Sequence, residues 1–396
     1  MSNTLKLGNG QWATGKDTLL GYNSENNNIK PLPFSFSRDS SATVVNKDGL
    51  IETVGSGEPR IDFKDNTKGA LLLEPTRSNI VLTSASGTYG NGPASETNTI
   101  SPDGTNNAVI PTPDSTSDRY AYAISGGIYS TNSKLAYSWY RKRISTPIDT
   151  SYVGDLYLTL IQNATQVGST TQIQSDVNGY DRFEAVFNIT DGSATTIIRG
   201  YFGILLGVGN SSIAYWGHQI EEGSYATSYI PTSGSAVTRV ADSSSQTVPD
   251  GIYGTNEVTF VIDFEINGDT PTYSNIFNTN KNTASSFGAT RQDENGRLKP
   301  FLFSSGINVG DMTSTTAFLN GVRGKFAVGY KNGDSVLVVK GNVEDTNSAT
   351  FSDFNVNEIH LNDLVTYFGY HTNLKIYDFK LYNTRLSNSE LAALTQ

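Results

Sequence analysis

The sequence predicts an all-β protein: two antiparallel sandwiches, each a β-sandwich or jelly roll, preceded by an extended N-terminal arm. Three observations carry that expectation. The 396 residues exceed one compact core, since domains run to roughly 100–200 residues, so two bodies are expected. Aromatic residues make up 11% and charged residues only 17%, a balance that opposes wholesale disorder. Gly, Ser, Thr and Asn are abundant, and 21 Tyr and 18 Phe stand against 2 Met, which is the vocabulary of strands joined by many turns.

The arm is assigned to residues 1–65. "SENNNIKPLPFSF" places Pro31 and Pro33 one residue apart, which suits extended backbone rather than a central strand. Short apolar groups recur at Leu5, Leu7, Trp12, Leu19 and Leu20 with polar breaks between them. They have no evident partner in the sequence around them, so they are the candidates for anchoring the chain to another body. On this reading, removal of residues 1–33 leaves both sandwiches folded.

The first sandwich is assigned to residues 66–235. "GALLLEP" is a short buried strand, and "KLAYSWYRKR" puts Leu135, Tyr137 and Trp139 on one face by period 2. "DRFEAVFNIT" gathers Phe183, Ala185 and Phe187 in the same way. "SIAYWGHQIEEG" closes the series, with Trp216, His218 and Ile220 expected on one face and Glu221 and Glu222 ending the strand in solvent. Residues 236–250, with three consecutive Ser and Pro249 and with Gly234 and Gly251 just outside, read as a linker.

The second sandwich is assigned to residues 251–396. "EVTFVIDFEI" alternates cleanly: Val258, Phe260, Ile262, Phe264 and Ile266 face inward, Thr259, Asp263 and Glu265 outward. "GKFAVGYKNGDSVLVVKGN" predicts a hairpin about Asn332-Gly333. "NLKIYDFKLYN" aligns Tyr377, Phe379 and Leu381. Ser387 and Glu390 have the spacing of a capping box before a short helix carrying Leu391 and Leu394.

Net charge is −10, and Arg141-Lys142-Arg143 is the densest basic group, so a nucleic-acid partner is not expected. With no Cys, neither disulfides nor thiolate metal sites can form. "MSNTLKLGNGQW" lacks a basic n-region followed by an apolar run, and no stretch has the length of a membrane span; neither a secretion signal nor membrane insertion is expected.

Three stretches together resemble segments of tailed-bacteriophage virion proteins. "FSRDSSATVVNKDGLIETVGSGEPRIDF" with "GALLLEPTRSNIV" is similar to a segment common in such proteins. "YWGHQIEEGSYATSYIPTSGSAVTRVAD" resembles the closing strand and exit linker of their carbohydrate-binding-module-like jelly rolls. The Asn332-Gly333 hairpin and "LKIYDFKLYNTRLSNSELAAL" resemble concanavalin A-like, or laminin G-like, sandwiches. The resemblance covers most of the chain from about Phe34 onward. It implies a structural fibre or decoration protein of the virion surface, made in the bacterial host cytoplasm. A head fibre is the first reading, with the arm docked on the major capsid or another virion protein. It also implies a homo-oligomer, a dimer or trimer, with host or mucosal glycans as ligands. A receptor-binding tail fibre is the alternative, and a virion-associated polysaccharide-cleaving enzyme the second.

The chemistry-bearing residues are weighed against plain packing. No cofactor or metal is expected, and no catalytic residue is assigned. His218, His360 and His371 lie in no metal-ligand or nucleophile motif, and His218 reads as a structural histidine. Asp263 and Glu265 share a face at about 6–7 Å along a strand, a spacing that a retaining glycosidase pair could use, although outward acids usually serve solubility. "DTPT" and "RQDENGR" offer oxygen ligands but match no EF-hand loop. Tyr273, Tyr367 and Tyr370 are the candidate glycan contacts, because a Tyr ring presents an apolar face with a polar rim.

Overall fold

The computed structural model describes residues 4–25, 28–64, 66–85, 94–111, 119–143, 156–203, 213–247, 256–268, 273–279, 286–351, 354, 356–362 and 371–396. As expected, their regular elements are antiparallel strands apart from one short helix, Asn388–Thr395. The chain divides into two units. The terminal unit combines Met1–Ser41, Val54–Pro75 and Val240–Gln396; the central unit combines Ala42–Thr53 and Thr76–Arg239.

That division differs from an arm followed by two consecutive sandwiches. In the terminal unit, Thr4–Gly8 pairs with Asn373–Tyr382, placing Leu5 opposite Leu381 and Leu7 opposite Phe379. The other edge of Thr4–Gly8 pairs with Thr18–Glu25, which pairs in turn with Asn28–Ser37. Leu5, Leu7, Leu19, Phe34 and Phe36 are consequently core residues. The reason is local alternation: "TLKLG" and "FSF" carry apolar groups at period 2, enough for one strand face each. The C-terminal partner of "TLKLG" lies more than 300 residues away and that of "FSF" in Ser243–Thr247 more than 200, beyond the reach of a local reading.

These N-terminal strands join two runs of one continuous 17-stranded sheet, which folds over to give the two sheet layers of the terminal unit. Asn373–Tyr382 pairs on its far edge with Glu257–Asn267, which leads to Gly324–Lys331, Ser335–Val339 and Asn342–Asn347. Asn28–Ser37 leads to Ser243–Thr247, Glu358–Leu361, Tyr273–Thr279, Ser286–Asp293 and Leu298–Ser304. Between the sheets lie Val258, Phe260, Ile262, Phe264 and Ile266, as their alternation predicts. The rings of Phe260 and Phe277 sit 4.6 Å apart, and Phe264 meets Phe326 edge-on at 5.5 Å. The hairpin forms about Asn332-Gly333, with Gly333 at φ +73°. Ser387 and Glu390 make the reciprocal capping box, and Leu391 buries against Val261, Ala327, Val336 and Val338 on the outer face of the first sheet.

The central unit is built on a six-stranded sheet in the order Ala94–Thr99, Ala108–Pro111, Ile213–Glu222, Lys134–Arg143, Tyr180–Ile189, Ala164–Val177. A three-stranded sheet orders Arg119–Gly127, Thr196–Gly203 and Leu156–Gln162. Leu135, Tyr137, Trp139, Phe183, Ala185 and Phe187 share one core as expected. Trp216 and Ile220 do not share a face. The register against Lys134–Arg143 slips between Trp216 and Gln219, where Gly217 takes φ +66°. This bulge sends Trp216 to one face, beside Tyr140 and Tyr229, and Ile220 to the other, with Tyr137 and Trp139.

Residues 236–250 are not a free linker. Val237–Arg239 pairs with Arg77–Asn79 in the central unit, and Ser243–Thr247 belongs to the terminal sheet; residues 248–250 lie outside the described residues. Nor does Glu221 end its strand in solvent. It is fully buried, accepting hydrogen bonds from Gln219 Nε2 at 2.7 Å and Thr227 N at 2.8 Å.

Candidate polar cleft on the terminal unit

The candidate site grows out of an irregularity in Asn373–Tyr382. Asp378 faces Asp263, but the next partner of Phe264 is Ile376, so Tyr377 is an extra residue on its strand. Strict alternation would align Tyr377 with Phe379 in the core. The bulge instead turns Tyr377 to the outer face while Leu374, Ile376, Phe379 and Leu381 stay inside.

Around Tyr377 the sheet carries a cleft of about 240 Å³. It is lined by Val261, Ile262 and Asp263, by Arg323 and Lys325, by Tyr377, Asp378 and Lys380, and by Asn9, Asn66, Lys68 and Leu394. The Arg323 guanidinium forks onto Asp263, Nε to Oδ1 at 2.7 Å and Nη2 to Oδ2 at 2.8 Å. Its carbon lies 3.7 Å from the Tyr377 ring centroid. Tyr377 Oη donates to Glu265 Oε2 at 2.8 Å, and Asn267 Nδ2 donates to Glu265 Oε1, also at 2.8 Å. Lys380 Nζ meets Asp378 Oδ2 at 2.5 Å. Lys68 Nζ donates to Asn9 Oδ1 at 3.0 Å, and Lys325 Nζ to the main-chain oxygen of Gln396 at 2.9 Å. Trp12 Nε1 fixes the margin by donating to the Lys68 carbonyl at 2.9 Å.

The electrostatics follow from this pairing. Hydrogen bonding to Asp263 holds the Arg323 guanidinium above its ordinary pKa. Burial, reinforced by the nearby Glu265 carboxylate, raises the Tyr377 phenol far above its ordinary value, so it is a hydrogen-bond donor at any physiological pH. Every cation of the cleft has an oxygen partner, so the surface alternates donors and acceptors. Such a surface can read hydroxyl groups, each of which donates one hydrogen bond and accepts others.

Asp263 and Glu265 do share the outer face, but each carboxylate is held by donors of its own chain. Leu5, Leu7 and Leu19 lie in the core of the terminal unit, Trp12 packs half-buried against it, and Leu20 is half-buried. Tyr273 opens the strand Tyr273–Thr279, opposite Asp293. Tyr367 and Tyr370 lie outside the described residues, as does "DTPT". In "RQDENGR", Asp293 Oδ1 accepts from the main-chain nitrogens of Asn295 at 3.0 Å and Arg297 at 2.9 Å, closing a turn. His218 is fully buried beside Tyr137, with 2.9 Å between Nδ1 and the phenol oxygen, and burial pushes its pKa down to about 3. His360 Nε2 stands 3.2 Å from Glu358 Oε2. Sequence reasoning missed Arg323, Tyr377, Lys68, Asn9 and Asn66. The signal available for Tyr377 was the polar pair Tyr377-Asp378 interrupting an otherwise alternating strand.

No family model matches this chain, and no curated protein does. Among solved structures, the chain is similar to the CBM40 of the Ruminococcus gnavus IT-sialidase at 17% identity, covering 36% of this chain and 84% of that one, with a TM-score of 0.32. It is similar to domain 4 of AbnA, a GH43 extracellular arabinanase from Geobacillus stearothermophilus, at 17% identity over 39% of this chain and 73% of that one, TM-score 0.32. The native heptameric SAP-like pentraxin from Limulus polyphemus shares 9% identity over 36% of this chain and 70% of that one, TM-score 0.30.

Proposed function

We propose that this chain is a non-catalytic structural protein of a tailed-phage virion surface, a head fibre in the first reading and a tail fibre in the second, and that its terminal unit binds glycans at the polar cleft. The observation that carries the binding role is the cleft itself, where a bulged Tyr377 is surrounded by alternating donors and acceptors. Binding is favoured over hydrolysis because Asp263 and Glu265 are both occupied by internal donors, whereas glycoside hydrolysis requires a carboxyl free to protonate the leaving oxygen and another facing the sugar. The virion assignment rests on the resemblance of the segments 36–63, 69–81 and 215–242 to phage proteins.

Attachment takes a different form from a docked arm. Leu5, Leu7, Leu19, Phe34 and Phe36 are interior while Ile29 is exposed, so contact with a capsid protein uses the folded surface of a unit. Weak glycan sites become effective on such a particle because many copies raise the effective concentration. The test has two parts. Cryo-electron microscopy of intact particles locates the chain on the shell or the tail, and its absence from particles overturns the virion assignment. Glycan-array binding that Asn66→Ala and Lys68→Ala weaken together supports the cleft; binding unchanged in both variants refutes it.

A further inference from the structure

The terminal unit is interrupted twice by the central unit. The chain leaves and re-enters it after Ser41, Thr53, Pro75 and Arg239. Four buried charges gather beside these crossings: Arg38, Arg60, Glu74 and Asp242, none more than 1% exposed. Asp242 is their centre. Its Oδ1 accepts from Arg38 Nη1 at 3.0 Å, and its Oδ2 from Arg60 Nη2 and from the Glu74 main-chain nitrogen at 2.8 Å. Arg60 Nη1 reaches Glu74 Oε2 at 2.5 Å. Arg38 also donates to the carbonyls of Ser40 at 2.9 Å, Gly55 at 2.6 Å and Glu58 at 3.0 Å.

Two cations and two anions make the cluster neutral, which is what permits its burial. Its placement is specific. Glu74 is one residue before a departure and Asp242 three residues after the matching return, and their backbones are joined by a 3.0 Å bond from Asp242 N to Glu74 O. Arg38 stands just before the first departure, and Gly55 just after its return.

We propose that this cluster is a clasp that closes the terminal unit over its own interruptions, so that both ends of the chain form one cooperative folding unit while the central unit opens independently of it. The physical basis is that the strand ends are held to each other within the terminal unit. The intervening chain then acts as a closed loop whatever its state, and the entropy of closing a loop grows only with the logarithm of its length. Cooperative units of this kind are seen as sets of amides that exchange together.

Hydrogen exchange on the full-length chain tests this. Trp216 is 1% exposed in the core of the central unit, so Trp216→Ala weakens that unit. Amides of Ile213–Glu222 and Lys134–Arg143 are expected to exchange about two orders of magnitude faster. Those of Thr4–Gly8, Glu257–Asn267 and Asn373–Tyr382 are expected to keep wild-type rates and to exchange as one set. Asp242→Asn is expected to give the opposite pattern. Acceleration of both sets by Trp216→Ala overturns the proposal, as does exchange of Thr4–Gly8 well ahead of Asn373–Tyr382. If Trp216→Ala does not fold, the denaturant dependence of exchange in the wild-type chain decides instead: two separate isotherms support the clasp, and a single shared one refutes it.

Discussion

Asp242→Ala is the sharpest perturbation that the structure offers. The carboxylate is fully buried and accepts from two guanidiniums and one main-chain nitrogen. Its removal takes a carboxylate from two buried guanidiniums, leaving Arg60 its pair with Glu74, and removes the acceptor of the Glu74 nitrogen. Breaking a buried ion pair by deleting one partner costs about 3–5 kcal/mol, because the other charge stays desolvated. The orphaned donor adds about 1–3 kcal/mol. A loss of about 4–8 kcal/mol is therefore expected, a large share of the roughly 5–15 kcal/mol that holds a domain. For a unit of roughly 220 residues, each kcal/mol moves the melting temperature by about 2–4 °C, so the terminal unit is expected to melt about 10–30 °C lower. Calorimetry of the full chain reads this as a shift of one transition. The deficit should persist in 1 M salt, since mobile ions screen a buried cluster poorly. Replacing Arg60 and Glu74 together by Met and Leu should cost less than Asp242→Ala, because no charge is stranded by that change. A fall below about 1 kcal/mol for Asp242→Ala refutes the reasoning, since it means that water reaches the cluster and compensates the loss.

Two further predictions concern the central unit. Burial places the folded-state pKa of His218 at about 3, below the ordinary 6.5. The unfolded chain therefore binds the proton first, and stability contributed above pH 6.5 is lost as pH falls from about 6.5 toward 3. NMR should find the His218 ring neutral at pH 5, and a midpoint near 6.5 in the folded protein contradicts this. Gly217→Ala places a methyl group 2.8 Å from the Tyr140 ring at a backbone φ of +66°. It is expected to destabilise the central unit by about 1–3 kcal/mol in denaturant unfolding, and a neutral result contradicts the bulge.

Local patterning made much of this molecule legible. Strict alternation in 257–266 placed five inward residues correctly, and Asn332-Gly333 and the Ser387–Glu390 spacing set a hairpin and a helix start. These signals act over a few residues, where pleat, turn and cap chemistry decide the outcome alone. The two errors of facing share one cause. At Gly217 and at Tyr377 an extra residue breaks the period, and a counted alternation beyond it inverts. The candidate site sits on one of these breaks, so the feature that aims Tyr377 at the cleft is the feature that hid it. Lys68 and Asn9 were invisible for a different reason, since 59 residues separate two groups that meet at 3.0 Å.

The same distance problem governs the N-terminal strands, and here the sequence expectation reverses. An arm can be removed without harm; a strand that joins two sheets cannot. Deleting residues 1–33 takes Leu5, Leu7 and Leu19 out of the core and uncovers the edge of Asn373–Tyr382 from Tyr382 to Asp378. Each buried leucine is worth about 2–5 kcal/mol when truncated to alanine, so the three together rival the whole stability of a domain. The edge left behind is a row of unpaired amides over an apolar face, a template for aggregation. The truncated chain is therefore expected to lose the cooperative melting of the terminal unit and to sediment as aggregates, while the central unit melts near its original temperature. Cooperative melting of a soluble terminal unit after the deletion returns residues 1–33 to the role of a dispensable anchor. The leucine triple variant Leu5→Ala, Leu7→Ala, Leu19→Ala then separates the two roles. It keeps the chain length and backbone, so cooperative melting of the terminal unit survives it if the leucines only anchor the chain and is lost if they are core.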